Sequence, residues 1–347
     1  MSVIVALLGF GMTEPVPSTR PRRLGATYSV PTWLPPAAQE INEPSAVKVI
    51  GRLRRRPVVV DTDELSADIL TSYWRTNEYA KESSPKVCFL HGADSNCFEW
   101  RYVAEKLGAK GADCIAVDWW TGGWTDREPI RRRLADADGT EPWTLVRQHL
   151  RAFLWQQYGD EPFVLVGASL GGAVAIDYAT AHPDSVCGLV LVDAGGESYK
   201  APPPDVVRAL APAVLAVKSL AARVQALLPS EGSRIGGLHR AEPSWSEAYG
   251  AYLASGGYVR HVGPGLIRQV TVPTLVVWGT DDAILPLSDA YAFERDLGAS
   301  CAGVKEVAGA GHSPHLDDPE TVATLLLSYI EGLGQWDSCT GADEGVS

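Results

Sequence analysis

Residues 163–172 read FVLVGASLGG, and this stretch decides the fold. Four residues typical of a buried strand lead into the pattern G-x-S-x-G from Gly167 to Gly171, and a run of small, helix-compatible residues follows at once. A serine at such a tight turn has strained backbone angles and close neighbours, so only small side chains fit beside it. The two glycines supply this room. We therefore predict a strand, a sharp turn that presents Ser169, and a helix.

Two later segments supply the partners that a nucleophilic serine needs. A serine hydroxyl becomes a useful nucleophile only beside a base that takes its proton, and that base needs a third group to orient it. Residues 272–286, VPTLVVWGTDDAILP, predict an apolar strand followed by an acidic turn. Residues 304–319, VKEVAGAGHSPHLDDP, place His312 in a glycine-flanked loop after another short strand. Serine, acid and histidine thus follow one another in the chain order of the α/β-hydrolase triad.

These motifs give the chain a resemblance to the α/β-hydrolase superfamily from about residue 47 to about residue 333. Further similar segments are KVCFLHGA at 86–93 for the third strand and its His-Gly loop, DCIAVDWWTGGWTD at 113–126 for the fourth strand and its turn, and VCGLVLVDA at 186–194 for the sixth strand. Thr121 and Gly122 stand where the family has a glycine and an aromatic residue. The resemblance implies an α/β fold: a mostly parallel, eight-stranded α/β-hydrolase sheet with helices on both faces and a helical cap inserted after strand 6.

The resemblance also assigns roles to the catalytic candidates. Ser169 would attack the substrate carbonyl, His312 would act first as general base and then as general acid, and Asp282 would hold the imidazole in the productive tautomer. Asp282 fits the family spacing, since it stands three residues after a glycine and four before a proline. Asp281 and Asp193, the latter at the end of the sixth strand, stay open as alternative acids.

Two backbone amides are the expected oxyanion hole. A tetrahedral intermediate needs preorganised donors for its negatively charged oxygen. In the family these are the N–H of the residue after the nucleophile and one N–H of the His-Gly loop. By position they belong to Leu170 and Ala93.

Candidate substrate-binding residues lie near the ends of the third and fourth strands. Trp119, Trp120 and Trp124 cluster at the carboxyl edge of the sheet, where open α/β folds bind ligands. They either form a rigid apolar wall beside Ser169 or anchor the turn against the cap. Asp94 is a further candidate at the pocket mouth, although turn chemistry alone would also explain it.

Composition agrees with a single soluble α/β domain that carries an insertion. Of the 347 residues, 46% are hydrophobic, which suffices for a substantial core. The net charge of −12 argues against nucleic acid or an anionic membrane surface as the main partner. No nucleotide-binding fingerprint follows a predicted strand and no metal-ligand spacing stands out, so we expect neither cofactor nor metal. Six cysteines without a pairing pattern suit a reducing compartment, and we expect a soluble, cytoplasmic protein whose oligomeric state the sequence leaves open.

The chain is expected to divide into a core, a cap and two tails. The core takes residues 47–194 and 271–335, the helical cap residues 195–270, and flexible tails residues 1–46 and 336–347. Pro212 is expected to kink or split the first cap helix. An organelle-targeting segment stays open as an alternative for the N-terminal tail, which is poor in acidic residues. Its apolar run is too short for a membrane-spanning helix.

The sequence predicts a serine hydrolase that cleaves an ester, thioester or lactone of a small, largely apolar substrate through an acyl-enzyme. Two alternatives stay open. A carbon–carbon bond hydrolase would use the same triad and would need a cation for its substrate carboxylate, for which Arg101 is the candidate. A slow-turnover receptor or interaction protein would keep the triad and retain its ligand.

Overall fold

The computed structural model describes residues 29–77, 80–120, 122–135, 142–196, 204–225, 231–242, 244–254 and 262–334. Within these residues the strands are β1 (Arg54–Asp61), β2 (Ser66–Arg75), β3 (Lys86–Leu90), β4 (Asp113–Val117), β5 (Phe163–Ala168), β6 (Val186–Val192), β7 (Thr274–Gly279) and β8 (Cys301–Val307). They form one sheet in the order β1-β2-β4-β3-β5-β6-β7-β8. β2 pairs antiparallel with β1 and with β4, and the other neighbouring strands pair in parallel.

Helices connect these strands. The α-helices of the described residues are α1 (Pro44–Arg52), α2 (Arg101–Ala109), α3 (Glu128–Ala135), α4 (Pro142–Tyr158), α5 (Leu170–Ala181), α6 (Pro204–Gln225), α7 (Glu231–Gly237), α8 (Trp245–Ala254), α9 (Pro264–Ile267), α10 (Ser288–Leu297), α11 (Pro314–Asp317) and α12 (Pro319–Gly332). We call α6, α7 and α8 the helical insertion; they lie between β6 and β7 in the chain, where the short α9 follows them. None of the helices in the described ranges combines the length and the apolar character that crossing a membrane requires.

Of the predicted kink or split at Pro212, the split does not occur, because α6 runs through this residue as one helix. A proline inside a helix leaves the carbonyl one turn earlier without its usual N–H partner. Pro212 lies on an exposed part of α6, where water can take the place of that partner.

Apolar side chains cover both faces of the sheet. Within β3, Cys88 and Leu90 belong to one buried cluster, whereas Val87 and Phe89 belong to the other. β4, β5 and β7 are buried along their whole length. Apart from Asp113 and Thr274, which begin β4 and β7, their residues are apolar because neither face of the sheet meets water. The predicted eight-stranded, mostly parallel α/β-hydrolase sheet is therefore confirmed.

The N-terminal part of the fold differs from the expected boundary. Leu34, Ala38 and Ile41 are buried in the same cluster as Val87, so packing begins before residue 47. Helix α1 spans the predicted boundary and is capped by Glu43, whose carboxylate accepts hydrogen bonds from the first backbone N–H groups. Residues 1–28 and 335–347, which include most of the predicted tails, lie outside the described residues.

Stability is expected to fall in acid because of His149 on α4. The ring is buried, with Nε2 2.7 Å from Thr71 Oγ1, and burial lowers its pKa to about 4. In the unfolded chain a histidine takes up its proton near pH 6.5. Between these values the unfolded state binds more protons, so the free energy of unfolding decreases as pH falls from 6.5 to 4, by up to about 3 kcal/mol from this residue.

The variant His149→Gln isolates this contribution, because glutamine can still bond Thr71 but does not titrate. Urea unfolding of both proteins at pH 7 and pH 4.5 measures the loss of stability between the two conditions. We expect the loss to be smaller in the variant. Equal losses would show that His149 does not carry the effect.

Candidate active site

Ser169 lies in the tight turn between β5 and α5. Its φ of 51° and ψ of −118° place it in a strained region of backbone space, and its N–H donates to the carbonyl of Val192 at 2.9 Å. A Cβ on Gly167 would approach the carbonyl oxygen of Gly171 to 2.3 Å, and one on Gly171 would meet the carbonyl oxygen of His91 at 2.5 Å. Both positions of the G-x-S-x-G pattern therefore require glycine, as the sequence indicates.

His312 lies between the serine and a carboxylate. Its Nε2 is 2.9 Å from Ser169 Oγ, and its Nδ1 is 2.7 Å from Asp282 Oδ2. The side chain of His312 is 14% exposed, whereas that of Asp282 is fully buried. The other carboxylate oxygen of Asp282 accepts hydrogen bonds from the backbone N–H groups of Ile284 at 2.7 Å and Leu285 at 3.0 Å. The turn after β7 thus holds the carboxylate in line with the imidazole.

The two alternative acids have other surroundings. Asp281 is exposed, and its carboxylate accepts a hydrogen bond from Thr280 Oγ1 at 3.1 Å. Asp193 accepts a hydrogen bond from the N–H of Gly279 at 2.9 Å and is buried. Burial, and secondarily the charge of Asp282, raise the pKa of Asp193 well above its usual value, which favours a neutral carboxyl group. Asp282 is the acid that contacts His312.

A second reading of the site is a metal centre, because three side chains of ligand type lie together. Donor atoms of Asp193, Asp282 and His312 lie within 4.8 Å of one another. However, each ring nitrogen of His312 already has a hydrogen-bond partner: Nε2 has Ser169, and Nδ1 has Asp282. A metal ion would have to displace these contacts, so the arrangement fits proton transfer better than metal binding.

The two predicted oxyanion donors belong to segments that adjoin Ser169. Leu170 is the first residue of α5, and the first N–H groups of a helix have no partner within the helix. Ala93 follows Gly92 in the loop 91–96 after β3, which we call the His-Gly loop. A Cβ on Gly92 would lie 3.3 Å from the Cβ of Ser169, so this loop passes directly beside the serine.

The three tryptophans do not form a single wall. Trp119 stacks on His91 with ring centroids 5.4 Å apart and donates from Nε1 to the carbonyl oxygen of His91 at 2.9 Å. Trp124 packs edge-on against Phe98 at 5.7 Å. Trp119 therefore holds the turn after β4 against the His-Gly loop, and Trp124 holds it against the short helix Cys97–Trp100 that follows this loop. Trp120 instead meets Tyr252 of α8 edge-on at 6.4 Å, which joins the turn to the helical insertion. Thr121 lies outside the described residues.

The carboxylate of Asp94, predicted to lie at the pocket mouth, is bound by other side chains of the protein. This carboxylate is buried and is contacted by donors of the helical insertion and of the turn that precedes α8, namely Lys218, His239, Arg240 and Trp245. Protein donors therefore occupy the oxygens that a substrate would use. Arg101, the predicted carboxylate-binding cation, is also engaged, because it donates to Glu43 at 3.2 Å and to the carbonyl oxygen of Phe98 at 3.1 Å.

Glu99 is a site residue that the sequence analysis missed. Its Oε2 accepts the N–H of Gly92 at 3.2 Å, and its Oε1 is 2.8 Å from Nε2 of His315. The carboxylate thus ties the His-Gly loop to the segment that follows His312. No local sequence signal identifies such a residue, because its partner lies 216 positions away.

Comparisons with known proteins agree with this architecture. A family model described as the alpha/beta hydrolase family matches residues 89–325. Among solved structures, a thermophilic esterase from Thermogutta terrifontis aligns with a TM-score of 0.64 and 20% identity, over 81% of this chain and 99% of that one. At this identity the likeness concerns the fold alone.

Curated relatives extend the match over most of the chain. The chain is 30% identical over 340 residues to the alpha/beta hydrolase domain-containing protein VTE7 of Arabidopsis thaliana, which covers 92% of this chain and 97% of that protein. It is 29% identical over 259 residues to the 2-hydroxy-6-oxo-6-(2'-aminophenyl)hexa-2,4-dienoic acid hydrolase of Metapseudomonas resinovorans, over 70% of this chain and 83% of that protein. By family model, by sequence and by fold, this chain belongs to the α/β-hydrolase family.

Proposed function

We propose that the protein is a serine hydrolase that cleaves an ester-like bond, in a carboxylic ester, thioester or lactone, of a small and largely apolar substrate. The observation that carries the proposal is the continuous chain of contacts from Ser169 Oγ through His312 to Asp282, at 2.9 Å and 2.7 Å. Both distances are within hydrogen-bond range, which is what proton transfer from the hydroxyl requires.

Acylation begins when Ser169 Oγ attacks the substrate carbonyl while His312 Nε2 takes the hydroxyl proton. Asp282 accepts the Nδ1–H of the same ring and stabilises the imidazolium that forms. The N–H donors of Ile284 and Leu285 keep the Asp282 carboxylate oriented for this task. His312 then gives the proton to the leaving group, and an acyl-enzyme on Ser169 remains.

Negative charge collects on the carbonyl oxygen during the attack. The N–H groups of Leu170 and Ala93 serve as the oxyanion hole in this proposal. Leu170 begins α5, so the partial positive charge at the helix N-terminus adds to its hydrogen bond. Deacylation repeats the cycle, with His312 taking a proton from water and returning it to Ser169 Oγ.

An apolar substrate is supported by apolar side chains close in sequence to the serine and the acid. Leu170 follows Ser169 and Leu285 comes three residues after Asp282, and both belong to the buried cluster in which Trp120 packs with Tyr252 of the insertion. The helical insertion acts as the cap over this region. Lys218 and Arg240, which lie between β6 and β7 in the chain, form ion pairs with Asp94 and are therefore not available to bind a substrate carboxylate.

Carbon–carbon bond hydrolysis is the second candidate, because the relative from Metapseudomonas resinovorans is named as a dienoic acid hydrolase. The same serine, histidine and aspartate could perform it. The contacts of Arg101 with Glu43 and with the backbone speak against it, since they occupy the cation proposed for the substrate carboxylate. We therefore rank ester hydrolysis first.

A substrate panel tests the proposal. The purified protein is incubated with p-nitrophenyl esters of increasing acyl length and, in parallel, with a vinylogous diketo acid, and intact-protein mass spectrometry follows the acyl-enzyme. We expect repeated turnover of the esters and a mass increase equal to the acyl group. Turnover of the diketo acid alone would favour the second candidate, and a single retained product without turnover would favour a receptor.

A further inference from the structure

A buried carboxylate next to the proposed oxyanion hole is bound by four donors. This carboxylate belongs to Asp94, which follows Ala93. Lys218 Nζ lies 2.7 Å and an Arg240 nitrogen lies 2.9 Å from Oδ2 of Asp94. Its Oδ1 lies 2.8 Å from Trp245 Nε1 and 3.1 Å from His239 Nε2. The side chain of Asp94 is 1% exposed. Each oxygen of this nearly inaccessible carboxylate thus has two donors from the protein.

All four donors come from the region between β6 and β7. Lys218 lies on α6, His239 and Arg240 lie in the short turn Leu238–Ala241, and Trp245 begins α8. The His-Gly loop is joined to the same region by Asn96, whose side-chain amide donates to the carbonyl oxygen of Ile235 at 3.1 Å. The helical insertion is therefore fastened to the loop that carries Ala93.

The electrostatics agree with one ionic arrangement. Burial by itself would raise the pKa of Asp94, but Lys218 and Arg240 outweigh it and hold that pKa well below its usual value. Burial lowers the pKa of His239 to about 4, so its ring is neutral near pH 7. A neutral ring that donates from Nε2 to Asp94 can accept at Nδ1, which lies 3.3 Å from the Asn96 amide nitrogen.

Stability alone does not account for this cluster. Burying an ion pair costs about as much solvation as the attraction returns, and apolar replacements are often as stable. What the cluster does is impose one geometry on the turn. Asp94 has a φ of 53°, a left-handed conformation that aspartate tolerates better than most residues with a side chain. The four donors hold the carboxylate of this turn residue, next to Ala93, in one place.

We propose that Asp94 is a positioning residue, which sets the N–H of Ala93 toward the oxyanion by tying the His-Gly loop to the helical insertion. The inference rests on the proposed function, because it presupposes that Ala93 stabilises an oxyanion. The oxyanion hole is then complete only while the helical insertion is docked on the His-Gly loop, so docking of the insertion and transition-state stabilisation are coupled.

The variants Asp94→Asn and Trp245→Phe test this role. Asp94→Asn keeps the size of the side chain but removes its charge. Trp245→Phe removes one hydrogen bond to Asp94 and leaves every charge in place, so it provides the test if Asp94→Asn folds poorly. The matched control is Asp113→Asn. Asp113 is equally buried and paired with Arg75, but it lies at the amino end of β4, opposite the proposed site.

The measurements must separate positioning from folding. Active sites are counted by the end point of fluorophosphonate labelling, and kcat and KM for an ester are expressed per titrated site. Affinity for a trifluoromethyl ketone, which forms a tetrahedral adduct with a serine, reports on the oxyanion hole. We expect Asp94→Asn to lower kcat and this affinity by about tenfold to a hundredfold with little change in KM, less than the loss of a whole oxyanion donor. Trp245→Phe should show a smaller effect of the same kind, and Asp113→Asn none.

Unchanged kcat per site and unchanged ketone affinity in both test variants would overturn the role of Asp94 while leaving the serine hydrolase proposal intact. An equal loss in Asp113→Asn would overturn it as well, because the effect would then follow from any buried ion pair. If the unaltered protein neither hydrolyses esters nor becomes labelled at Ser169, the proposed function itself fails, and the role of Asp94 fails with it.

Discussion

Replacing Ser169 by alanine is expected to lower kcat for ester hydrolysis by about 10⁴-fold to 10⁶-fold. The variant removes the atom that forms the acyl bond but leaves His312, Asp282 and the oxyanion donors in place. Whatever rate remains must come from direct attack of water, assisted by the oxyanion hole. Because alanine lacks only the hydroxyl, the turn between β5 and α5 should keep its shape, and substrate binding should change little.

The matched control for this prediction is Ser66→Ala, since Ser66 is an exposed serine at the start of β2. Kinetics under substrate excess, together with circular dichroism of both variants, separate chemistry from folding. Hydrolysis by the folded Ser169→Ala protein within tenfold of the original rate would mean that no acyl-enzyme forms on this residue. A water-based or cofactor-free mechanism would then be required.

Replacing Asp282 by asparagine should cost about 10⁴-fold in kcat, the second largest effect. The oxygen of the amide can still accept the N–H groups of Ile284 and Leu285, which now contact Asp282 Oδ1. The amide nitrogen would then face His312 Nδ1 and donate to it. The imidazole would carry its proton on Nε2, facing Ser169, and could no longer accept the hydroxyl proton.

Two neighbouring aspartates provide controls for the same experiment. Asp281→Asn should keep nearly full activity, because Asp281 is exposed and does not contact the imidazole. Asp193→Asn should have a small effect, since burial already favours the neutral carboxyl that asparagine imitates. The assignment of the acid would be wrong if Asp281→Asn or Asp193→Asn lowered kcat more than Asp282→Asn does.

Local patterns predicted the strands from β3 to β8 and the sharp turn, whereas the eight-stranded sheet as a whole was implied by the family resemblance. The strands and Ser169 could be predicted because backbone strain and burial on both faces act on neighbouring residues, which leaves glycines and apolar runs in the sequence. The family resemblance favoured Asp282 by its spacing after Gly279 and left Asp281 and Asp193 open, and the structure places the Asp282 carboxylate against His312. These features depend on a few consecutive residues.

Contacts between distant segments could not be predicted in this way. Asp94 looks like an ordinary turn residue until Lys218, 124 positions later, is brought onto its carboxylate. Trp119 and Trp120 are adjacent in sequence, yet one packs on His91 and the other on Tyr252, because successive side chains leave the turn in different directions. The packing of Leu34 was missed for a similar reason, since a short apolar spacing in a proline-rich segment has no helix or strand period to reveal it.

The most direct test of the central claim is the site of covalent labelling by a fluorophosphonate, located by peptide mass spectrometry in the folded protein and in the variant His312→Ala. We expect one probe per chain, attached to Ser169, with labelling slowed by several orders of magnitude when the imidazole that takes the hydroxyl proton is removed. Attachment to a different residue, or labelling of Ser169 at the same rate without His312, would contradict the account.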